Sequence, residues 1–281
     1  MIWILGALAF WAAAWALNGW IANSPFGRVR AARVAAPLVF GAAALAMWEG
    51  LARGFDIPPV ILPVPTAIAA RFAESTDVLW ADFVQTFVRG ALTGWAIGCG
   101  AAAAVAVAID RSRFLQAGLL PVGNFAAALP IVGIAPIMVM WFGFDWQSKA
   151  AVVVAMVFFP MLVNAISGLA SAGRMQRDLM ATYSASYWQT LRKLRLPAAA
   201  PFIFNGLKIT STLALIGAIV AEFFGSPTRA MGFRISTEVG RLGLDMVWAE
   251  IWVAAISGSA FYGVLALVER AATFWHPSQR G

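Results

Sequence analysis

The sequence predicts an all-α integral membrane protein, on three observations. Apolar residues make up 61% of the 281 and charged residues only 12%. The apolar residues fall in long runs of Ala, Val, Leu and Gly, without the period-two alternation of a barrel strand. Basic residues gather in short connectors between those runs. Soluble domains carry roughly twice this charged fraction. A chain this apolar cannot cover itself with polar groups, so lipid is its solvent over much of its surface. Its 13 tryptophans suit the aromatic belts at the membrane faces.

Crossing a bilayer takes about 20 mostly apolar residues. The stretches that qualify are about 1–22, 34–53, 83–109, 117–142, 149–171, 202–225 and 247–268. Gly90, Gly94, Gly98 and Gly100 in the third suit close helix packing. The first stretch has no basic residue before its apolar run, and Arg28, Arg30 and Arg33 follow it. That order predicts an uncleaved anchor with its N-terminus outside, a cleaved signal peptide being the alternative. Residues 1–33 are therefore read as an N-terminal transmembrane helix with a basic cytoplasmic connector, and 34–281 as the main membrane domain.

Charge sets the topology. With the 23–33 connector inside, the inner loops hold Arg28, Arg30, Arg33, Arg111, Arg113, Arg174, Arg177, Arg192, Lys193, Arg195, Arg270 and Arg280. Fewer basic residues fall outside, and this bias orients the chain. The same rule accounts for the net charge of +7 without nucleic acid. The exception is 226–246, whose Arg229, Arg234 and Arg241 are unusual for an outer loop. Two outer connectors are more than turns. Prolines between Ile57 and Pro65 hold the chain extended, and an amphipathic stretch from Thr66 carries Ile68, Phe72 and Leu79. In 226–246, Met231, Phe233 and Ile235 are placed to dip into the membrane.

The most polar long run lies between the fifth and sixth stretches: RMQRDLMATYSASYWQTLRKLRLPAAAP, Arg174 to Pro201. Ser186 and Gln189 have capping-box spacing. Tyr187, Leu191 and Leu194 share a face at i, i+4 and i+7. Arg192, Lys193 and Arg195 sit where a helix dipole favours cations, and Pro197 is expected to stop the helix. A helix of about ten residues is marginal alone. It needs a surface: its own protein, lipid headgroups or a separate subunit.

This run resembles the cytoplasmic loop of membrane (permease) subunits of bacterial ABC importers, in the nitrate/sulfonate/taurine-type group. The family's order is E-A-A-x-x-x-G, nine residues, then I-x-L-P. Pro197 on the final proline places Leu194 and Leu196 on the I and L, Ser184 on the glycine and Asp178 on the glutamate, with Leu179 and Met180 on the two alanines. ILPVPTAIAARFAE resembles the family's L-P-x-P segment. LPIVGIAPIMVMWFGFDWQSK resembles I-P-x-x-x-x-x-P-x-x-x-x-W-F-G-x-x-x-x-S-K. AEFFGSPTRAMGF resembles A-E followed, about seven residues on, by G-x-G, and VERAATFWHP the end of the last helix. The matches run in order through about residues 35–277. They imply a six-helix ABC importer permease core with one extra N-terminal transmembrane helix, and a coupling loop at about 173–200.

The resemblance also implies partners. Two permeases, as a homodimer, surround one pathway in the inner membrane. ABC ATPase subunits clasp the loops, and a periplasmic or extracellular binding protein delivers a small polar or anionic solute. ATP and Mg belong to the ATPase. The residues implied for docking are Asp178, Ser184, Ala185, Tyr187, Trp188 and Leu191. Tyr187 and Trp188 are the expected anchors, since buried aromatics dominate interfaces; an interfacial belt is the alternative. Pathway or gate candidates are Pro130, Ile131, Pro136, Met138 and Met140, because Pro in a span frees backbone groups that protein or water must satisfy. Core packing is the alternative for them.

The chain has no G-x-x-x-x-G-K-[ST] to cradle phosphates and no H-E-x-x-H. Its one cysteine, Cys99, and one histidine, His276, exclude a multi-Cys metal site and a credible Ser/His/Asp set. Glu222 is read as the acid well inside a span, at the solute path or bonded to the 226–246 connector. The competing classes are an ion-coupled secondary transporter, which needs coupling-ion ligands at mid-membrane and usually repeated halves, and a non-transport scaffold.

Overall fold

A computed structural model describes residues 2–23, 30–112, 114–115, 130–226 and 228–275. Regular structure among them is entirely helical. The helices are α1 (Ile2–Asn23), α2 (Arg30–Gly54), α3 (Pro65–Glu74), α4 (Thr76–Arg111), α5 (Ile131–Phe142), α6 (Trp146–Ala170), α7 (Arg174–Thr182), α8 (Tyr187–Glu222), α9 (Met231–Gly240) and α10 (Leu244–Ala272). Two contain a wider π-helical stretch, Val84–Leu92 in α4 and Leu191–Arg195 in α8. Among the described residues, α1, α2, α4, α6, α8 and α10 are long and apolar enough to cross a membrane. The stretch expected at 117–142 lies in part outside the described residues. Its described part, α5, has 12 residues and is too short to cross alone.

The chain forms two compact units. The first comprises Met1–Thr76 and Thr237–Ile251. There α1 packs along α2, with Gly50 against Ala7 and Gly54 against Ile4, where any side chain would collide. Trp11 meets Phe40 at 5.5 Å between ring centroids. Glu49 and Arg53 organise the start of α3. The Glu49 carboxylate accepts from Arg53 (2.6 Å), the Thr66 N–H (3.0 Å) and Thr66 Oγ1 (2.8 Å). Pro65 opens α3, where a missing N–H costs nothing, and Ile68 is buried as the amphipathic pattern predicts.

The second unit comprises Asp77–Ser236 and Trp252–Gly281. Its core lies between α4, α6 and α8, around Ala102, Ala106, Val153, Val157, Met161, Ala199, Ala214 and Ala218. Small residues bring the backbones together. A Cβ on Gly94 would strike Val153, and one on Gly98 would strike Val157, so α4 and α6 approach closely there. Gly100, grouped with them in the sequence, has open space around its Cβ position.

Pro197 does not end the loop helix, which continues into the membrane helix as α8. The π-helical stretch just before it re-registers the backbone ladder: the Leu196 N–H bonds to Leu191 O, five residues back. Pro197 then falls in the first turn of the following α-helical stretch, where its missing N–H is tolerated.

Candidate functional site

The loop between α6 and α8 has two parts of opposite character. Helix α7 is amphipathic and has no buried residue. Met175, Leu179 and Tyr183, at i, i+4 and i+8, are 85%, 55% and 77% exposed. They form one apolar stripe along the helix and its cap residue Tyr183, beside the polar Arg174, Arg177 and Asp178.

Helix α7 ends at Ser184, the position matched to the family's glycine. Ser184 has φ 52°, in the left-handed region. Its N–H bonds to Ala181 O (2.9 Å), and the Ala185 N–H bonds to Met180 O (3.0 Å). These paired bonds are a Schellman cap with Ser184 at C′, the position that ordinarily takes Gly. The chain reverses there into the predicted capping box. Ser186 Oγ accepts from the Gln189 N–H (3.3 Å), and Gln189 Oε1 accepts from the Ser186 N–H (2.8 Å).

The second part, the foot of α8, faces its own bundle. Leu191 is 3% exposed within the core, and Tyr187 packs against the same cluster. Tyr187 Oη donates to Asp110 Oδ2 (3.0 Å), and the Arg111 guanidinium lies 5.8 Å from its ring centroid. Arg195 closes on Asp110 with two bonds of 2.5 Å and donates from Nε to Leu169 O (3.1 Å). The Tyr187–Leu191–Leu194 face thus selects the surface of its own protein. Tyr187 and Leu191, expected as docking contacts, are turned inward. Asp178 and Ser184 are exposed, Trp188 is half-exposed, and Ala185 is partly covered.

At the opposite end of the same unit, Glu222 lies in a buried polar knot. Its Oε2 accepts from the Gly232 N–H (2.8 Å) and Thr86 Oγ1 (3.0 Å), while Thr86 Oγ1 accepts from the Met231 N–H (2.8 Å). Lys149, in the S-K pair of the sequence motif, donates to Phe144 O (2.5 Å) and to Gly225 O. Gln85 Nε2 donates to Asp145 Oδ1 (2.7 Å). These bonds join the ends of α4, α6 and α8 to the start of α9. They make Glu222 a bracing acid bonded to the 226–246 connector. Met231, expected to dip into lipid, is fully buried, with its N–H bonded into this knot. Arg234 is paired with Asp82 at 2.9 Å, which removes part of the charge anomaly of the connector.

Glu222 is not alone among buried acids: Asp82 and Glu250 are fully buried, and Glu269 is 8% exposed. Lys208 pairs with Glu269 at 2.6 Å. The pathway candidates divide. Met138 packs with Ala135, Val152 and Ala221, whereas Pro136 and Met140 lie on an exposed face of α5 and Pro130 is exposed before it. The side chain of Ile131 lies outside the described residues.

Asp110 was not singled out from sequence, and its pairing with Arg195, placed there only at a helix end, was not foreseen because the two lie 85 residues apart. Met175, Leu179 and Tyr183 were legible as an i, i+4, i+8 series in an exposed loop, and that spacing is the signal that locates the stripe.

Residues 96–274 match the family described as "Binding-protein-dependent transport system inner membrane component". The chain belongs to this family. It is 30% identical over 242 residues to a probable ABC transporter permease protein of Haemophilus influenzae, covering 85% of this chain and 97% of that one. It is 29% identical over 236 residues to the riboflavin transport system permease protein RibX of Chloroflexus aurantiacus, covering 83% and 87%. A chain of the MetNI methionine ABC transporter, solved in inward-facing conformations, shares the fold. The TM-score is 0.56 at 17% identity, covering 70% of this chain and 95% of that one. This protein is therefore a permease subunit of an ABC importer, a multi-pass component of the inner membrane.

Proposed function

We propose that the subunit works as one half of a permease dimer and takes its energy from separate ATPase subunits that grip α7. ATP and Mg bind on those subunits. A binding protein on the outer side delivers the solute, a small polar or anionic molecule. The observation that carries the docking assignment is the apolar stripe of Met175, Leu179 and Tyr183 on a helix with no buried residue. Trp188 extends it beyond the turn, and its ring meets Tyr187 edge-on at 5.4 Å between centroids. Asp178, Ser184 and Ala185 complete the surface. Tyr187 and Leu191 support it from behind. Exposed aromatics on a short rigid helix are the usual anchors of such contacts.

Solute delivery is proposed through the face of α5 carrying Pro136 and Met140, with Glu222 bracing the outer end. The relative named for riboflavin transport makes flavins and related heterocycles one class for a first solute panel, beside small sulfonates and nitrate.

The test is co-expression with candidate ATPase and binding-protein partners, then purification on a tag carried by the permease. The wild-type chain should retain the ATPase, and MgATP should drive solute uptake into liposomes. Leu179→Ser with Tyr183→Ser should release the ATPase while the permease still elutes as a folded species. Retention of full ATPase binding by that double variant overturns the docking assignment. Uptake driven by a proton or sodium gradient without ATP overturns the importer mechanism.

A further inference from the structure

Among the described residues, helix α7 makes no extensive packing with another helix, so there a push on it enters the bundle through its two ends. Both ends converge on one carboxylate. Before α7, the last turn of α6 offers Leu169 O to Arg195 Nε. Ser171 Oγ also donates to Gly168 O (2.7 Å) and Ala198 O (3.3 Å), tying that end to α8. After α7, Tyr187 Oη bonds to Asp110, and Arg195 grips the same carboxylate with both terminal nitrogens. Asp110 stands in the last turn of α4. The side chains of Arg195 and Asp110 are 13% and 15% exposed. Bidentate pairs of this kind fix orientation as well as proximity.

We propose that Asp110, Arg195 and Tyr187 form a rigid clamp that transmits movement of the α7 loop to α4. This rests on the docking of an ATPase at α7. The three are positioning residues that act through the loop, with no contact to nucleotide or solute. The clamp makes the loop, the end of α6 and the foot of α8 move with the end of α4 as one body. Without it, α7 swings on its own linkers. ATP is then hydrolysed without rocking the α4–α6–α8 core.

The experiment uses the assembled importer, permease with ATPase and binding protein, in lipid nanodiscs. Spin labels go on cysteines replacing Arg177 on α7, on the side away from the apolar stripe, and Ala104 on α4, both exposed; Cys99 is buried. In the parent importer, the distance between labels should be a single narrow distribution, unchanged between the nucleotide-free state and the MgATP–vanadate-trapped state. Asp110→Asn should leave ATPase co-purification intact, broaden that distribution, and cut stimulation of hydrolysis by the binding protein about tenfold, the scale of coupling lost along such networks. Tyr187→Phe, which removes a single hydroxyl, should fold normally and shift both readouts in the same direction by a smaller factor. It decides the matter if Asp110→Asn does not assemble. A parent distance that changes on trapping overturns the clamp, as do variants with parental distances and stimulation. If no ATPase co-purifies with the parent, the docking assignment is what fails.

Discussion

Replacing Ser184 by glycine should tighten the loop, because Ser184 occupies a conformation its side chain opposes. Its φ of 52° places Cβ against the following carbonyl, a conflict costing about 1–2 kcal/mol for an ordinary L-residue. Glycine relieves this but loses roughly 0.5–1 kcal/mol through greater freedom in the opened state. The cap itself uses only backbone groups, Ser184 N–H to Ala181 O and Ala185 N–H to Met180 O, so no bond is lost. The net expectation for Ser184→Gly is about 0.5–1 kcal/mol of added local stability, or roughly a two- to fivefold rise in protection. A melting curve is the wrong assay, since α7 is exposed and opens below the global transition. Hydrogen exchange read by mass spectrometry on peptides spanning 180–186 measures the local opening directly. Ser184→Val should move the same peptides the other way, since a β-branched residue is a genuine outlier at positive φ. Unchanged or faster exchange in Ser184→Gly would refute the strain argument, and with it the cap as the reason a glycine belongs at this position.

Two other substitutions test the packing. Gly232→Ala would put its Cβ 2.8 Å from Glu222 Cβ and 3.0 Å from Oε2. Overpacking and a weakened buried hydrogen bond together should cost about 3 kcal/mol, seen as a lowered midpoint in detergent thermal unfolding; a parental midpoint refutes the knot as a tight brace. Glu269→Gln leaves Lys208 without its counter-charge at a site where the two side chains are 11% and 17% exposed. That variant should lose about 2–3 kcal/mol, whereas Lys208→Met with Glu269→Leu should fall within about 1 kcal/mol of the parent. Equal losses in both would show that side-chain packing matters there and the charges do not.

Helix identity, the spans and the family were legible because each is written locally. Long apolar runs report spans, and the Ser186–Gln189 spacing reports a cap without any long-range knowledge. The π-helical stretches at Val84–Leu92 and Leu191–Arg195 were not legible. A one-residue widening of a helix leaves no fixed composition, and its effect at Pro197 reverses the local stop signal. Most polar partners were equally hidden: Asp110 with Arg195, Glu222 with Thr86, and Lys208 with Glu269 are set by the fold alone, whereas a bond from Glu222 to the 226–246 connector was one of its two expected roles.

The inward turn of Tyr187 has a physical reason that bears on how the loop divides its labour. A helix continuous with a membrane span inherits that span's apolar face, so residues in phase with the core at the foot of α8 are drawn inward. Leu191 at 3% exposed and Tyr187 above it follow from this phase. Trp188, one position out of phase, is 51% exposed. Helix α7 has no such continuity: the Schellman cap at Ser184 breaks its phase from α8, which frees Met175, Leu179 and Tyr183 to face outward. The turn at Ser184 thus separates a surface that can be gripped from a foot that is anchored. A change that fused α7 and α8 into one helix would merge the two faces. It would leave no apolar stripe for a partner without uncovering the core.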